Sequence, residues 1–151
     1  GSMLEIGHSA YAAFATVTVL ALGRDDLVPV SATMALPGRA LMPWSPVHPR
    51  WNFQDSGDLE IGWTRRSRAG TLWPDHVEVP LAEEVEKYRI EISADDGAGL
   101  SLLLESAVPQ IIVPAAQLEP FFLSNINYLN TTVFQIGAYG LSEGLAFEIS
   151  L

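Results

Sequence analysis

Apolar and polar residues alternate with a period of two along most of this chain beyond residue 58. Leu59, Ile61 and Trp63 alternate with Glu60, Gly62 and Thr64. Tyr88, Ile90 and Ile92 alternate with Arg89 and Glu91. Leu145, Phe147, Ile149 and Leu151 alternate with Ala146, Glu148 and Ser150. That period turns one face to a core and the other to water, as in a half-buried antiparallel strand. Val77 and Val79 flank Glu78, residues 100–105 form a denser apolar run, Gln110–Val113 precedes Pro114, and residues 132–138 run into Gly140. Six or seven short strands between Gly, Pro and Asp turns predict an all-β sandwich. In that sandwich Trp63 is a core residue, sharing one core with Tyr88, Ile90, Ile92, Phe147 and Ile149. Residues 118–130 fit no single pattern. Their start reads either as a helical turn or as a strand crossing between sheets.

The first third is organised differently. Val17 and Val19 alternate with threonines, which predicts a strand over 16–22, although the alanine-rich start also suits a helix. Residues 23–26 are a turn signal, and 28–34 read as a second strand that Pro29 confines to an edge. These segments carry more apolar surface than a solvated tail should, so residues 4–36 are expected to pack onto the sandwich as strands, an additional N-terminal β-hairpin or strand. Pro37, Pro43, Pro46 and Pro49 follow. Each fixes its own φ and pushes the preceding residue towards extended backbone. The expected organisation is therefore an expression-tag remnant at 1–3, which would make the chain an excised piece of a longer protein. A β segment at 4–36 follows, belonging to this domain or ending a preceding one. A Pro-rich connector spans 37–49, and a sandwich spans 50–151, with its first strand reaching back to about 47.

Composition narrows the function. A chain of 151 residues with 48% hydrophobic content is large enough for one real core. Eighteen acidic residues against eight basic ones give a net charge of −10, and Lys87 is the single lysine. That balance disfavours nucleic acid and anionic membrane as partners. The run at 11–22 is too short for a membrane span. With no cysteine, disulfides, thiolate metal sites and cysteine nucleophiles are excluded. His8, His48 and His76 show no metal-ligand spacing, so neither metal nor cofactor is expected.

No catalytic residue is expected either. Glu83, Glu84, Glu86, Asp95 and Asp96 fall in turns or on polar strand faces, where nothing raises a carboxyl pKa. Residues 95–99 lack the later glutamate of a calcium loop and read as a hairpin turn. Ser45 and Ser67 have no nucleophile-elbow context. What stands out is Arg65-Arg-Ser-Arg68 at a strand end. Its arginines either pair with Glu83, Glu84 or Glu86 or dock an acidic neighbour. Trp73 and His76 follow in the same long loop. Trp73 either folds over the loop base or serves as an aromatic anchor. The loop around 139–144 should emerge at the same end of a sandwich. The candidate partner-binding residues are thus Arg65, Arg66, Arg68, Trp73, His76 and Tyr139.

Several motifs together resemble a known family. Gly38-Arg-Ala-Leu-Met-Pro-Trp-Ser-Pro-Val-His48, Asp58-Leu-Glu-Ile-Gly-Trp-Thr-Arg-Arg-Ser-Arg68, Val77-Glu-Val-Pro-Leu-Ala-Glu-Glu-Val-Glu-Lys-Tyr-Arg-Ile-Glu-Ile92 and Phe134-Gln-Ile-Gly-Ala-Tyr-Gly140 occur in order. Residues 41–151 resemble the fibronectin type III-like domain of the host-specificity tail-tip protein of gene transfer agents and tailed phages. The resemblance implies a fibronectin type III-like sandwich and a non-catalytic structural or docking module in tail assembly or host-cell attachment. It implies other tail or baseplate proteins, or a recipient cell-surface glycan or protein, as partners. It also implies a tail-tip location, made in the bacterial cytoplasm and extracellular in the particle. Larger family members carry a glycoside-hydrolase-like barrel, none of which is recognisable here. Thr131-Thr-Val-Phe134 departs from the usual Tyr-x-Val strand, leaving Tyr128 and Tyr139 as displaced candidates for a tyrosine corner. A carbohydrate-binding β-sandwich is the alternative. It would need exposed aromatics, for which Trp44, Trp51, Trp73 and Tyr139 are available.

Overall fold

The computed structural model describes residues 16–24, 27–35, 38–68, 82–94, 99–123 and 126–151. The chain divides into two compact units, Gly1–Leu41 and Met42–Leu151, with the division inside the proline-rich stretch. In the first, β1 (Thr16–Ala21) and β2 (Val30–Ala35) pair antiparallel from Thr16↔Ala35 to Ala21↔Val30. Both N-terminal segments are therefore strands, and Pro29 sits just outside β2, where its missing donor costs no ladder bond.

The second unit holds β3 (Val47–Phe53), β4 (Leu59–Thr64), β5 (Tyr88–Ala94), β6 (Ser101–Ser106), β7 (Gln110–Val113), α1 (Ala115–Phe122), β8 (Tyr128–Gly137), β9 (Gly140–Leu141) and β10 (Leu145–Ser150). A three-stranded sheet has the order β3-β4-β7, and the other sheet has the order β10-β8-β5-β6, with β9 folding back on β8. All pairings among the described residues are antiparallel. The chain crosses between sheets from β4 to β5, from β6 to β7, and through α1 from β7 to β8. This is a fibronectin type III-like β-sandwich.

The alternating positions fill its core. Leu59, Ile61 and Trp63 of β4 face Tyr88, Ile90 and Ile92 of β5, with Leu129 and Val133 of β8 and Ile149 of β10 beside them. Phe147 packs against that core half-buried and stacks on Trp51 at 5.5 Å, closing the seam between the β10 and β3 edges. On β8 the inward face is partly polar: Thr131 and Gln135 are buried beside Leu129 and Val133. That is why the apolar pattern marks only the later part of a strand that begins at Tyr128. Tyr128 is half-buried and Tyr139 exposed, so neither supplies a buried corner tyrosine.

The ambiguous stretch resolves into α1 and the start of β8. Leu118 and Phe121, three residues apart, bury one helix face in the core. Asp58 caps this helix from outside: Ala115 N–H donates to Asp58 Oδ1 at 2.8 Å. A carboxylate at a helix N-terminus satisfies an orphan donor and meets the positive end of the dipole. Ser56 Oγ donates to the other Asp58 oxygen at 3.0 Å and steadies it. The strand expected around Val77–Val79 and the turn at 95–98 lie outside the described residues.

Candidate functional site

The end of the sandwich where β4 stops and β5 starts gathers most of the predicted site. Leaving β4, the chain presents Arg65, Arg66 and Arg68. Returning towards β5, it presents Glu83, Glu84 and Glu86. Arg68 donates through Nε and Nη2 to Glu83 Oε1 at 2.8 and 2.7 Å. The Glu83 side chain is only 3% exposed, so this pair is largely withdrawn from water. Arg65 Nη1 lies 3.6 Å from Glu86 Oε2 in a more open pair. Glu86 also accepts from the Tyr88 hydroxyl at 2.8 Å. Burial pushes the Tyr88 pKa well above the usual tyrosine value, and the hydrogen bond and negative charge of Glu86 reinforce the shift.

The β8–β9 hairpin turns at this same end. Gly137 pairs with Gly140, leaving Ala138 and Tyr139 as a two-residue tip. A Cβ on Gly137 would lie 2.7 Å from Glu83 Oε2 and 2.8 Å from Pro43 Cδ, so glycine is required for this close approach. The Arg68–Glu83 pair, the hairpin and the Pro-rich entry segment are thereby locked together. Below the tip, Gln135 N–H donates to Ser142 Oγ, and Ser142 N–H donates to Gln135 O, both at 2.9 Å.

Arg66 is held differently. Its guanidinium carbon sits 4.6 Å from the ring centroid of Trp44, a cation–π contact. Trp44 is 43% exposed and Tyr139 50%. Trp44 was legible only as an aromatic in the Pro-rich segment. Its partnership with Arg66 depends on the connector passing the end of the sandwich where β4 stops and β5 starts, which no local pattern encodes. Of the predicted site residues, Arg65, Arg66, Arg68 and Tyr139 stand at one end, while Trp73 and His76 lie outside the described residues. The expected basic character is reduced by the loop's own glutamates, because Arg65 and Arg68 each face a carboxylate. Trp51, the other candidate aromatic, belongs to the β3–β10 seam.

A groove of about 540 Å³ lies at the opposite end, between α1 and the β3–β4 turn. Phe53, Ala115, Ala116, Phe122 and Leu151 line it, and among the described residues Glu119 is its one titratable side chain. That lining offers no pair of groups for acid–base work.

No protein-family model matches the sequence, and no curated protein matches it significantly. Solved structures with a similar backbone include domains d3–d4 of the rat CD45 extracellular region. There the identity is 10% and the TM-score 0.49, covering 100% of this chain and 70% of that one. A two-domain fibronectin type III segment of chicken tenascin is similar at 13% identity and TM-score 0.49, covering 90% of this chain and 63% of that one. A human fourth fibronectin type III domain has 14% identity and TM-score 0.45, covering 72% of this chain and 78% of that one.

Proposed function

We propose that this chain is a non-catalytic docking and spacer module of the tail tip of a phage-like particle or gene transfer agent, working in tail assembly or attachment to the recipient cell. The tail-tip reading draws on the ordered sequence motifs at 58–68 and 77–92. The observation that carries the docking role is the braced end of the sandwich: two ion pairs stiffen it, while Arg66, Trp44 and Tyr139 remain displayed on it. A rigid scaffold that presents an aromatic and a cation is the usual form of a recognition end. The partners that fit are neighbouring tail or baseplate proteins with acidic surfaces, met as the tail is assembled in the bacterial cytoplasm, or a recipient cell-surface glycan or protein, met once the particle is outside the cell.

The test replaces Trp44, Arg66 and Tyr139 together by serine in the particle-producing host. Particle yield or gene transfer should fall while the isolated chain keeps its circular dichroism and melting temperature. Unchanged yield and transfer would remove this end from the reading.

The second reading is a carbohydrate-binding sandwich for a cell-surface glycan, favoured by the exposed Trp44 and Tyr139. Saturable binding of an anionic oligosaccharide that the same triple variant abolishes would select it.

A further inference from the structure

Among the described residues the sandwich has four sheet edges, and three are blocked by recognisable devices. An open edge invites another chain to pair, so folds normally blunt it. On β3 the register breaks between Val47 and Arg50, where His48 has φ 51° and Pro49 lacks a donor. On the far side of that sheet, β7 is only four residues long and lies between Pro109 and Pro114. The β10 edge meets β3 across the Trp51–Phe147 stack.

The β6 edge has none of these devices. Its six residues, Ser-Leu-Leu-Leu-Glu-Ser, pair with β5 in unbroken register from Ser106↔Tyr88 to Ser101↔Ser93. Among the described residues no strand pairs with its other side. It contains no proline, lysine or bulge. Its one charge, Glu105, is met by Lys87 Nζ at 2.6 Å. Leu103 points outward and is 59% exposed, while Leu102 and Leu104 face inward but are only half-buried.

We propose that β6 is an assembly edge, where a second copy of this chain adds antiparallel and continues the four-stranded sheet across a two-fold axis at Leu103. The sequence of β6 is self-complementary in that register. Opposed residues in a sheet must share a face, because side chains alternate with a period of two. With the axis at Leu103, Leu103 meets its own copy, Leu102 meets Leu104 and Ser101 meets Glu105. Leucines meet leucines on both faces, and no two glutamates are opposed. An axis at Leu104 would set Leu103 against Glu105. A two-fold interface needs such self-complementarity, whereas an unrelated extended peptide would not require it. The net charge of −10 on each copy opposes the association, so added salt should strengthen it.

The test uses the full chain in sedimentation equilibrium at rising concentration and two salt levels. A reversible dimer that tightens with salt is expected. Leu103→Lys should leave a monomer with unchanged circular dichroism and melting temperature. Because the chain has no cysteine, Leu103→Cys supplies one thiol on the proposed axis. Directly opposed Cβ atoms lie about 4.5–5.5 Å apart in antiparallel sheets, close to the reach of a disulfide. Mild oxidation should then link two Leu103→Cys copies far faster than two copies of an Asp55→Cys control in the β3–β4 turn. A monomer at every concentration would overturn self-pairing and leave the edge to an extended segment of another protein. A dimer that survives Leu103→Lys, or equal crosslinking of the two cysteine variants, would overturn it as well.

Discussion

Trp63 meets Tyr88 edge to face, with ring centroids 5.0 Å apart and planes at 68°. One ring comes from the three-stranded sheet and the other from the four-stranded sheet, so the contact ties the two layers together. Edge-to-face pairs stabilise by about 0.5–1.5 kcal/mol beyond area burial. Trp63→Ala should therefore destabilise by about 3–5 kcal/mol. Urea denaturation followed by circular dichroism checks this, and a loss near zero would mean that the two sheets are held elsewhere.

Tyr88 also makes stability depend on alkaline pH. Its folded pKa is raised by burial and by Glu86. The unfolded tyrosine titrates near about 10. Above that pH the unfolded chain releases a proton that the folded chain retains, so the unfolded state gains. The contribution is complete below pH about 10 and declines as pH rises towards the folded value. Tyr88→Phe removes the ionisation, so its stability should fall less steeply over this range. Denaturation midpoints of both chains at a series of alkaline pH values test the difference in slope.

Arg68 should matter more for stability than its place in an exposed loop suggests. Removing it leaves the Glu83 carboxylate, 3% exposed, without its partner. Arg68→Ala should cost about 1.5–3 kcal/mol, the range for hydrogen bonds to charged groups. Adding Glu83→Gln should recover part of that loss, because a neutral amide is cheaper to leave buried. A double-mutant cycle measures the coupling, and additive losses would mean that the pair contributes nothing of its own.

Asp58 joins the β3–β4 turn to the helix. Asp58→Ala should cost about 0.5–2 kcal/mol through the lost cap on Ala115. Asp58→Asn keeps an acceptor there and should lose less, retaining the hydrogen bond without the charge–dipole part. Thermal melts of the two variants separate these contributions. Equal losses would point to a purely electrostatic cap.

Gly144 sits where a Cβ would lie 2.5 Å from Thr132 Cγ2 and 2.8 Å from Phe134 Cε1. Gly144→Ala forces β8 and the approach to β10 apart. A loss of about 1–3 kcal/mol is expected in chemical denaturation, as for other overpacked sites. Thr132→Ser in the same chain removes the nearer methyl and should restore part of it.

Local pattern alone determined a great deal of this protein. Period-two alternation identified β4, β5 and β10 and assigned Trp63, Tyr88 and Ile149 to the core, because a strand's pleat ties position directly to face; short apolar runs between turn signals marked β6 and β7, and the end of the proline-rich stretch marked β3. The alternation was weakest where the inward residues are polar, at Thr131 and Gln135 of β8. It failed at α1, whose eight residues bury only Leu118 and Phe121 and contain Pro120. The candidate end was legible as a list of residues but not as an arrangement. Whether the arginines pair with Glu83, Glu84 or Glu86 or remain available is set by where the chain returns to the sandwich before β5, and by the hairpin and proline packed against it. Only the tertiary structure brought Arg68 to Glu83, Arg65 to Glu86 and Arg66 to Trp44. Ion pairs and cation–π contacts depend on distances between segments far apart in the chain, and sequence periodicity carries no information about those distances.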